Sequence, residues 1–428
     1  MNAFYAYGAQ TFASLAIRNY RLFFFGQGVS QVGTWMQIVA LVWLVLTLTG
    51  SGTQLGVVLA FRFFPMLALG PFGGIPADYF SKRHVLILTQ SLLALIAFTL
   101  GFIVFVGIAD LWVIYVLAFL IGVVNVVDNP TRQTFIHEMV GPGHLRNAVA
   151  LNSTMGNVAR AIGPMIGGFL IAGIGIATCF FVNALSFLVV IATLFLIRER
   201  ELHKDAASSR GARFFLDGLR YVAATPLAAS ILISMAVIGT LAYEFQVSLP
   251  VLAENVFAAG AAGFTALLSA MGMGSIAGGL FSASRQKTAA HEFVLSAFLL
   301  GVSMVCTAFM PTFFLAVTAM FFVGFFAVYL TSVGNTMLQL ASAPEVRARV
   351  MSLWTMAVFG STFVGAPLIG AIVDRAGGRW GLAVGGLAAI MAALYAAVRM
   401  LSHDRWLIIP SFVRVRAEQE KEIEAPKI

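Results

Sequence analysis

Four charged side chains lie inside apolar stretches of the sequence, where a charge is costly. Arg62, Asp128, Arg160 and Glu244 each have long apolar runs beside them. A charge at the centre of a membrane-spanning helix costs at least ~2.5 kcal/mol unless it faces a cavity or a partner. These positions therefore predict a polar site within a membrane protein, because such residues usually mark a pathway for a substrate or an ion.

The two acids of this group are candidates for carrying a proton. Removal from water favours the neutral form of a carboxyl group, and a nearby arginine favours the charged form. A carboxyl group balanced between these effects could bind and release a proton as the protein changes conformation. The alternative for Asp128 is a fixed ion pair with Arg132 or Arg160. For Glu244 it is a place at a helix interface or among lipid head groups.

Uncharged polar residues mark further helix faces in these stretches. Gln27 and Gln31 share one face, as do Asn335 and Gln339, and Asn125 lies about one turn before the first of the two acids. Side chains three or four residues apart lie on the same side of a helix. We expect these residues, with Arg62 and Arg132, to line the same pathway. Hydrogen bonds between helices are the competing explanation.

A charged loop follows the second apolar stretch and begins at Gly74. Asp78 lies where a carboxylate can accept hydrogen bonds from the N-terminal amides of a neighbouring helix. Lys82 or Arg83 can pair with an acidic residue of the fourth stretch, Asp128 or Glu138. Such contacts would hold one end of a helical bundle shut. The alternative is an exposed charged turn that only sets orientation.

A group of small residues follows Arg160 within one turn or two of helix. Its members are Gly163, Pro164, Gly167 and Gly168. Glycines without side chains let another helix approach closely, and a proline removes a backbone donor and bends its helix. The pattern predicts a tight or mobile helix contact, with ordinary packing glycines as the alternative.

Long apolar segments must position all of these residues. The chain of 428 residues is 60% hydrophobic and 10% charged, whereas roughly a quarter of residues in soluble domains are charged. A helix of ~20 apolar residues crosses a ~30 Å hydrocarbon core. Such runs recur at residues 22–48, 53–77, 85–107, 110–129, 148–173, 176–197, 227–249, 262–283, 290–310, 313–340, 350–373 and 380–400. We therefore predict an all-α membrane protein with twelve transmembrane helices.

The distribution of Lys and Arg predicts the orientation of these helices. Cytoplasmic loops carry an excess of both residues. Of the 26 Lys and Arg residues, only Arg375 and Arg379 fall in segments that would lie outside if the N-terminus is cytoplasmic. We expect an integral protein of a bacterial-type inner membrane, with both termini on the cytoplasmic side. The net charge of +8 then indicates a basic inner face against anionic lipids and not nucleic-acid binding.

The chain divides into two similar halves. Residues 163–167 read GPMIG in the fifth run, and residues 366–370 read APLIG in the eleventh. We predict a six-helix bundle at 1–200, a linker with an interfacial helix at 201–225, a second bundle at 226–401 and a cytoplasmic tail at 402–428. Parallel repeats of this kind hold their substrate between the halves near the middle of the membrane.

Several chemistries are absent from the sequence. Cys179 and Cys306 lie in separate apolar runs without metal or redox spacing. Neither HExxH nor GxSxG occurs. A nucleotide-binding loop requires a glycine directly before its lysine, and none of the lysines has one. We therefore expect no metal, no cofactor and no enzymatic activity.

The motifs resemble those of the major facilitator superfamily, and the resemblance extends over nearly the whole chain. Residues 74–83 read GIPADYFSKR, similar to the family's G-x-L-A-D-R-x-G-R-R loop, with Gly74, Asp78, Lys82 and Arg83 matching. Pro76 and two other residues of the loop depart from it. The resemblance implies twelve helices in two bundles and a gating role for this loop.

Two further stretches refine the resemblance. Residues 159–168 read ARAIGPMIGG, similar to the antiporter motif G-x-x-x-G-P-x-x-G-G, which implies export. Residues 129–140 look like the branch that contains the enterobactin exporter and drug-efflux proteins. Residues 370–379 read GAIVDRAGGR and also fit the loop signature. Since counting spans puts them at the opposite end, we expect gating chemistry only at Asp78.

The sequence thus predicts a secondary transporter. We expect a monomer that alternates between inward-open and outward-open states and exports a small amphipathic molecule, drug-like or siderophore-like, in exchange for protons. The alternatives are a facilitator, a symporter or a lipid flippase of the same fold and, from another class, a scaffold or enzyme of the membrane.

Overall fold

A computed structural model describes residues 12–203, 213–285, 288–342 and 344–401. Helices make up nearly all of this part of the chain. They are α1 (Arg18–Thr49), α2 (Gly52–Leu69), α3 (Ile75–Tyr79), α4 (Lys82–Val106), α5 (Leu111–Gly173), α6 (Ile176–Leu196), α7 (Arg213–Ala224), α8 (Pro226–Leu241), α9 (Phe245–Asn255), α10 (Gly260–Ser284), α11 (Ala290–Ala308), α12 (Phe313–Ala341), α13 (Pro344–Thr355), α14 (Thr362–Ala376) and α15 (Gly378–Leu401). A π-helical segment, Met356–Gly360, joins α13 to α14.

Eleven helical segments of the described chain are long and apolar enough to cross a membrane. One of them, Pro226–Asn255, combines α8 with α9, and another, Arg349–Ala376, combines part of α13 with the π-helical segment and α14. The predicted all-α membrane class is confirmed. The number twelve, the two bundles as domains and the side on which the termini lie remain predictions.

The long helix α5 contains a sharp break. Its 63 residues correspond to about 95 Å at 1.5 Å per residue, roughly three times the thickness of the hydrocarbon core. The backbone leaves helical geometry at Gly141, where φ is 66° and ψ is 177°. Glycine adopts this conformation without a steric penalty, so the chain can change direction there.

Two predicted spans have different bounds in the structure. The second run, predicted to extend to residue 77, ends as helix α2 at Leu69 and is followed by a turn and the short helix α3. The seventh run, predicted as one span over 227–249, is broken between Leu241 and Phe245. Apolar composition alone did not reveal either break, because irregular backbone that lines a cavity can be as apolar as helix.

Helix ends are fixed by local residues. The Ser51 side chain accepts a hydrogen bond from the Gln54 amide at the start of α2, and Asp110 accepts one from the Trp112 amide at the start of α5. Gly50 ends α1 with φ 62°, a left-handed conformation that favours glycine. These caps keep the loops between spans short.

Two pairs of helices form most of the packing between the first half of the chain and the second. Helix α2 packs along α14, and the part of α5 beyond Gly141 packs along α10. A Cβ on Gly56 would lie 2.2 Å from the Ala366 carbonyl oxygen, and one on Gly370 would lie 2.3 Å from the Gly52 carbonyl oxygen. Backbone therefore meets backbone along α2 and α14, and no side chain larger than hydrogen fits at these contacts.

The bundle has two ends, which we name by their acidic residues. The Asp78 end holds α3, the start of α4 and the loop that follows α6. The Asp374 end holds Gly50, Asp110 and the C-terminal end of α14. Helix α7 lies in the predicted linker, where the Tyr221 hydroxyl donates to the Ala341 carbonyl at 2.8 Å. The remaining linker residues, 204–212, and the predicted tail, 402–428, lie outside the described residues.

Candidate functional site

The main candidate site is a cavity of about 590 Å³ between the two halves. Its size falls within the range of small-molecule sites. The first half contributes residues of α1, α2 and α5, and the second half those of α9, α10, α12 and α14, of the break before α9 and of the π-helical segment. The polar and charged lining residues are Arg62, Asn157, Arg160, Tyr243, Glu244, Gln246, Ser275, Thr331, Ser332, Asn335, Thr336 and Thr362.

Two interruptions of helical geometry face this cavity. Glu244 lies in the break between α8 and α9, with φ −84° and ψ 42°. On another side, Val358 and Phe359 of the π-helical segment line the cavity. Irregular backbone within a membrane protein occurs where it lines a cavity or is covered by protein, and π-helical turns are frequent at functional sites. The two interruptions therefore indicate that this part of the second half binds a ligand or changes conformation.

The Glu244 carboxyl group is buried and incompletely bonded. The residue is 3% exposed, and its Oε1 atom has no hydrogen-bond partner. The Thr362 hydroxyl is within hydrogen-bonding reach of the carboxyl group. Gly365 leaves room for it, since a Cβ there would lie 3.0 Å from Oε1. No cationic nitrogen of the described residues lies within 4.0 Å of this carboxyl group.

The two arginines of the cavity also lack acidic partners. Arg160 extends from α5 with its guanidinium carbon 5.0 Å from the centre of the Trp35 ring, a distance typical of a cation–π contact. Its buried Nε has no hydrogen-bond partner. Arg62 comes from the middle of α2 and borders both this cavity and a smaller one. Neither arginine forms an ion pair with an acidic residue of the described chain.

The smaller cavity, about 250 Å³, lies within the first half and holds Asp128. Gln27, Gln31, Asn125 and Arg132 line it as well. Asp128 is 1% exposed. It accepts hydrogen bonds from Thr89 at 2.7 Å and from Gln90 at 2.8 Å, and an Arg132 nitrogen lies 3.8 Å away. This arrangement matches the fixed ion pair that the sequence left open for Asp128, whereas Glu244 lies in the large cavity and not at a lipid-facing position.

Of the two polar residues on α12, Asn335 and Gln339, one lines the cavity and the other lies at the surface. Asn335 lines the large cavity. Gln339, one turn further on, is exposed and donates a hydrogen bond to the Asn335 side chain at 2.6 Å. Gln339 therefore supports a lining residue instead of lining the cavity itself.

The small residues of α5 permit close helix packing. A Cβ on Gly163 would lie 2.6 Å from the Trp35 Cβ, and one on Gly168 would lie 2.2 Å from the Thr265 Oγ1 in the other half. Gly167 packs against Met36, and Pro164 is buried. The glycines thus bring α5 against both α1 and α10, and they position Arg160 beside Trp35.

The charged loop at the Asp78 end makes only some of its expected contacts. Lys82 pairs with Glu138 at 2.5 Å, and Arg83 pairs with Glu199. Asp78 itself is exposed, near the partly buried Gly74. Its carboxylate forms no hydrogen bond or ion pair with any backbone or side-chain group of the described residues, so the expected contact with the amides of a neighbouring helix is not made in this conformation.

That contact is made instead at the opposite end, by Asp374. Its carboxylate accepts from the Gly52 amide at 2.6 Å, the Thr53 amide at 3.0 Å and the Ser51 hydroxyl at 2.7 Å. A carboxylate-to-amide contact between helices therefore exists at Asp374 as well, and the expectation of gating chemistry only at Asp78 stays a prediction. The loop signature in residues 370–379 contains this aspartate, and its place at the end of the bundle opposite Asp78 agrees with the count of spans.

Two further site residues carried little signal in the sequence. Tyr243 lines the cavity, and its hydroxyl lies 2.9 Å from the Thr331 Oγ1. Thr362 lies beside Glu244. Both are single polar residues in apolar runs, and only their neighbours in space distinguish them from packing residues.

Comparisons with known proteins agree with this architecture. A family model described as "Transmembrane secretion effector" matches residues 9–411. The uncharacterized MFS-type transporter YfiS of Bacillus subtilis (strain 168) is 27% identical over 47% of this chain, and the match spans 48% of that relative. The multidrug efflux pump Tap of Mycolicibacterium fortuitum is 25% identical over 83% of this chain and 89% of its own. The enterobactin exporter EntS of Shigella flexneri is 24% identical over 82% and 84%.

Solved structures share the fold. A POT family transporter in complex with 5-aminolevulinic acid aligns with a TM-score of 0.73 at 11% identity, covering 89% of this chain and 96% of that one. With eleven apolar spans, the chain is a multi-pass integral membrane protein of the bacterial inner membrane, and its relatives are transporters and not enzymes. The match over residues 9–411 establishes the family: the chain belongs to the transmembrane secretion effectors of the major facilitator superfamily.

Proposed function

We propose that this protein is a secondary active transporter that exports a small amphipathic molecule by alternating access, in exchange for protons. The observation that carries the proposal is the cavity between the halves, with an apolar wall and charged groups that lack partners. Efflux by the Tap relative and export by the EntS relative support the direction. Because one chain supplies both walls of the cavity, a monomer suffices.

We also propose that the chain crosses the membrane twelve times. The break at Gly141 divides α5 into two helices, each long enough to cross the membrane. An even number of spans leaves both termini on one side, and the excess of Lys and Arg in the loops of the Asp78 end makes that side cytoplasmic. The Asp374 end then faces outward.

We further propose that the conformation described here is inward-open. Asp374 and the glycine contacts of α2 and α14 join the halves at the outer end. Asp78, which would make the corresponding contact at the inner end, is exposed. Export requires the reverse arrangement as well, in which the outer contacts separate and the inner end closes. Each end thus has one carboxylate whose contact must break once in a cycle.

Glu244 is the proton carrier in this scheme. Its Oε1 atom has no partner within the protein, and the residue lines the cavity, so either a proton or a group of the substrate can bind this oxygen. Substrate that enters from the cytoplasm competes with the proton for this oxygen, and the proton returns from outside as the substrate leaves. Moving one charge down 100 mV yields ~2.3 kcal/mol, which is enough to drive accumulation. Asp128 acts as part of a fixed network.

Flux in proteoliposomes tests the proposal. Vesicles that contain the purified protein are loaded with acidic buffer and exposed to a panel of fluorescent amphipathic compounds. Antiport predicts accumulation with an acidic lumen and its loss on addition of an ionophore. Accumulation only when the outside is acidic would mean symport, movement without any response to pH would mean facilitated diffusion, and no movement of any compound would remove the transport function.

A further inference from the structure

The central cavity contains three formally charged side chains. Arg62 and Arg160 come from the first half, and Glu244 comes from the second. Two guanidinium groups and one carboxylate leave a formal charge of +1. Other lining residues, such as Trp35 and Phe245, give the cavity a largely apolar wall. A ligand that fills this space must therefore match an apolar surface with a few separated charges.

All three charges are without a matched partner among the described residues. The Nε of Arg160 and the Oε1 of Glu244 are both buried and without hydrogen bonds. Although both residues line one cavity, no nitrogen of Arg62 or Arg160 lies within 4.0 Å of Glu244. A buried charge without a partner is costly, so these three groups by themselves form an incomplete electrostatic arrangement.

The two other acids that are buried in the described part of the chain, Asp128 and Glu138, are paired. Asp128 has Arg132, Thr89 and Gln90 around it. Lys82, which is mostly buried, pairs with Glu138. The fold thus satisfies its internal charges where they only support structure. The three groups of the cavity are left for something that is not part of the chain.

Each kind of charge selects a complementary group. A guanidinium presents planar paired donors that bind a carboxylate through two parallel hydrogen bonds. Arg160 lies over the Trp35 ring, which provides an apolar surface next to the guanidinium group. The free Oε1 of Glu244 accepts a hydrogen bond from a donor, and a charged amine supplies both the donor and the opposite charge.

We propose that the substrate is amphoteric: an apolar body that carries an acidic group for Arg62 and Arg160 and an amine for Glu244. This inference rests on the proposed function and names the substrate class of the same cavity. The acidic group binds the first half and the amine binds the second, so an occupied cavity is bridged by the substrate. A molecule of this kind also explains competition with protons, because the amine and a proton need the same oxygen of Glu244.

Other classes of substrate fit less well. A neutral amphipathic molecule would leave all three charges unpaired, at full desolvation cost. A permanently cationic drug would meet two like charges for one opposite charge. A simple organic anion would satisfy the arginines but leave Glu244 without its donor. Only the amphoteric class completes both sets of contacts.

Four matched probes test this inference on the full-length protein in lipid nanodiscs. They are naphthylalanine, its amide, N-acetyl-naphthylalanine and the amide of the N-acetyl compound. The four share one apolar body and differ only in whether the acid and the amine carry a charge. Isothermal titration calorimetry near neutral pH should give an affinity for naphthylalanine roughly tenfold or more above that of each other probe.

Substitutions then assign each preference to its residue. Arg62→Gln and Arg160→Gln should reduce the preference for a free acid over an amide, and Glu244→Gln should reduce the preference for a free amine over an acetylated one. Arg375→Gln and Glu254→Gln, exposed residues outside the cavity, serve as controls that should change neither ratio. Arg160→Lys keeps the charge without the paired donors and should retain part of the preference.

The probe comparison on the unaltered protein decides the matter even if a variant fails to fold. Equal or tighter binding of the neutral probe or of either singly charged probe overturns the inference, as does the failure of all four to bind to protein that binds other compounds of the transport panel. Export of neutral compounds without any effect of Arg62 or Arg160 would leave the transporter function in place and remove the amphoteric substrate. Loss of all flux would instead remove the proposed function itself.

Discussion

Asp128 and Glu244, two of the buried acids, differ in what surrounds them. Asp128 receives hydrogen bonds from two side chains and lies beside Arg132. Glu244 has one oxygen without a partner and faces the cavity between the halves. The carboxyl group of Asp128 already has partners within the protein, whereas that of Glu244 leaves one oxygen for a proton or a ligand. The two residues should therefore respond differently to neutralisation.

Neutralisation of Glu244 should uncouple transport from protons. In Glu244→Gln the amide cannot gain or lose a proton, so a pH gradient should no longer drive accumulation, while exchange of substrate across equal concentrations continues. Flux in acid-loaded proteoliposomes and counterflow at equal pH measure the two properties. Glu254→Gln, an exposed acid at the end of the same span, should behave like the unaltered protein. Full pH-driven accumulation by Glu244→Gln would contradict the assignment.

Neutralisation of Asp128 should affect stability instead. Asp128→Asn loses the ion pair with Arg132 and weakens its charge-assisted hydrogen bonds, at a cost of about 2–3 kcal/mol. We expect a lower midpoint of thermal unfolding in detergent, with proton coupling retained in the protein that remains folded. Normal stability combined with lost coupling would instead make Asp128 a proton carrier.

At the scale of helices, the Asp374 carboxylate binds the N-terminus of α2 from the end of α14. Removal of a carboxylate from a helix N-terminus costs about 1 kcal/mol at an exposed site. Asp374→Asn should therefore shift the equilibrium roughly fivefold toward separation of the outer ends. Spin labels at Thr47 and Arg375, with Cys306 replaced, would report this as a larger population at long distance.

Asp110 offers a matched control for that measurement. It accepts from the Trp112 amide within its own half, so Asp110→Asn removes a helix cap without touching the contact between halves. Its distance distribution should equal that of the unaltered protein. An unchanged distribution in Asp374→Asn would mean that the glycine contacts of α2 and α14 suffice to close the outer end.

The packing of α5 makes a second prediction at this scale. A side chain at Gly163 would meet the Trp35 Cβ and the Val32 carbonyl oxygen. Gly163→Leu should force α5 away from α1, displace the neighbouring Arg160 and strongly reduce flux or make it leak. Gly173→Leu, where a Cβ has no neighbour within 4 Å, should be tolerated. Equal flux in the two variants would show that close approach at Gly163 is dispensable.

At the scale of the whole molecule, the sequence predicted the membrane class better than it predicted the details of the site. The sequence predicted the spans because an apolar run of ~20 residues is usually a transmembrane helix. It predicted the charged site residues because a charge within such a run usually faces a cavity or a partner. The break at Glu244 was missed because its flanks, Leu241 and Phe245, are as apolar as a helix. The Asp374 contact was missed because its partners lie more than 300 positions away, and no local pattern reports such a distance.

The final prediction concerns the orientation of the molecule, which follows from charge. Tyr79 is 81% exposed at the Asp78 end, and Ile108 is 61% exposed at the opposite end. Since the Lys and Arg residues concentrate in loops of the Asp78 end, that end should remain in the cytoplasm. In a background without Cys306, an impermeant maleimide should label Ile108→Cys on intact cells and Tyr79→Cys only after permeabilisation. The buried Cys179 provides the unlabelled baseline. Labelling of Tyr79→Cys on intact cells at the rate of Ile108→Cys would reverse the orientation, and with it the assignment of Asp374 to the outer end and of this conformation to the inward-open state.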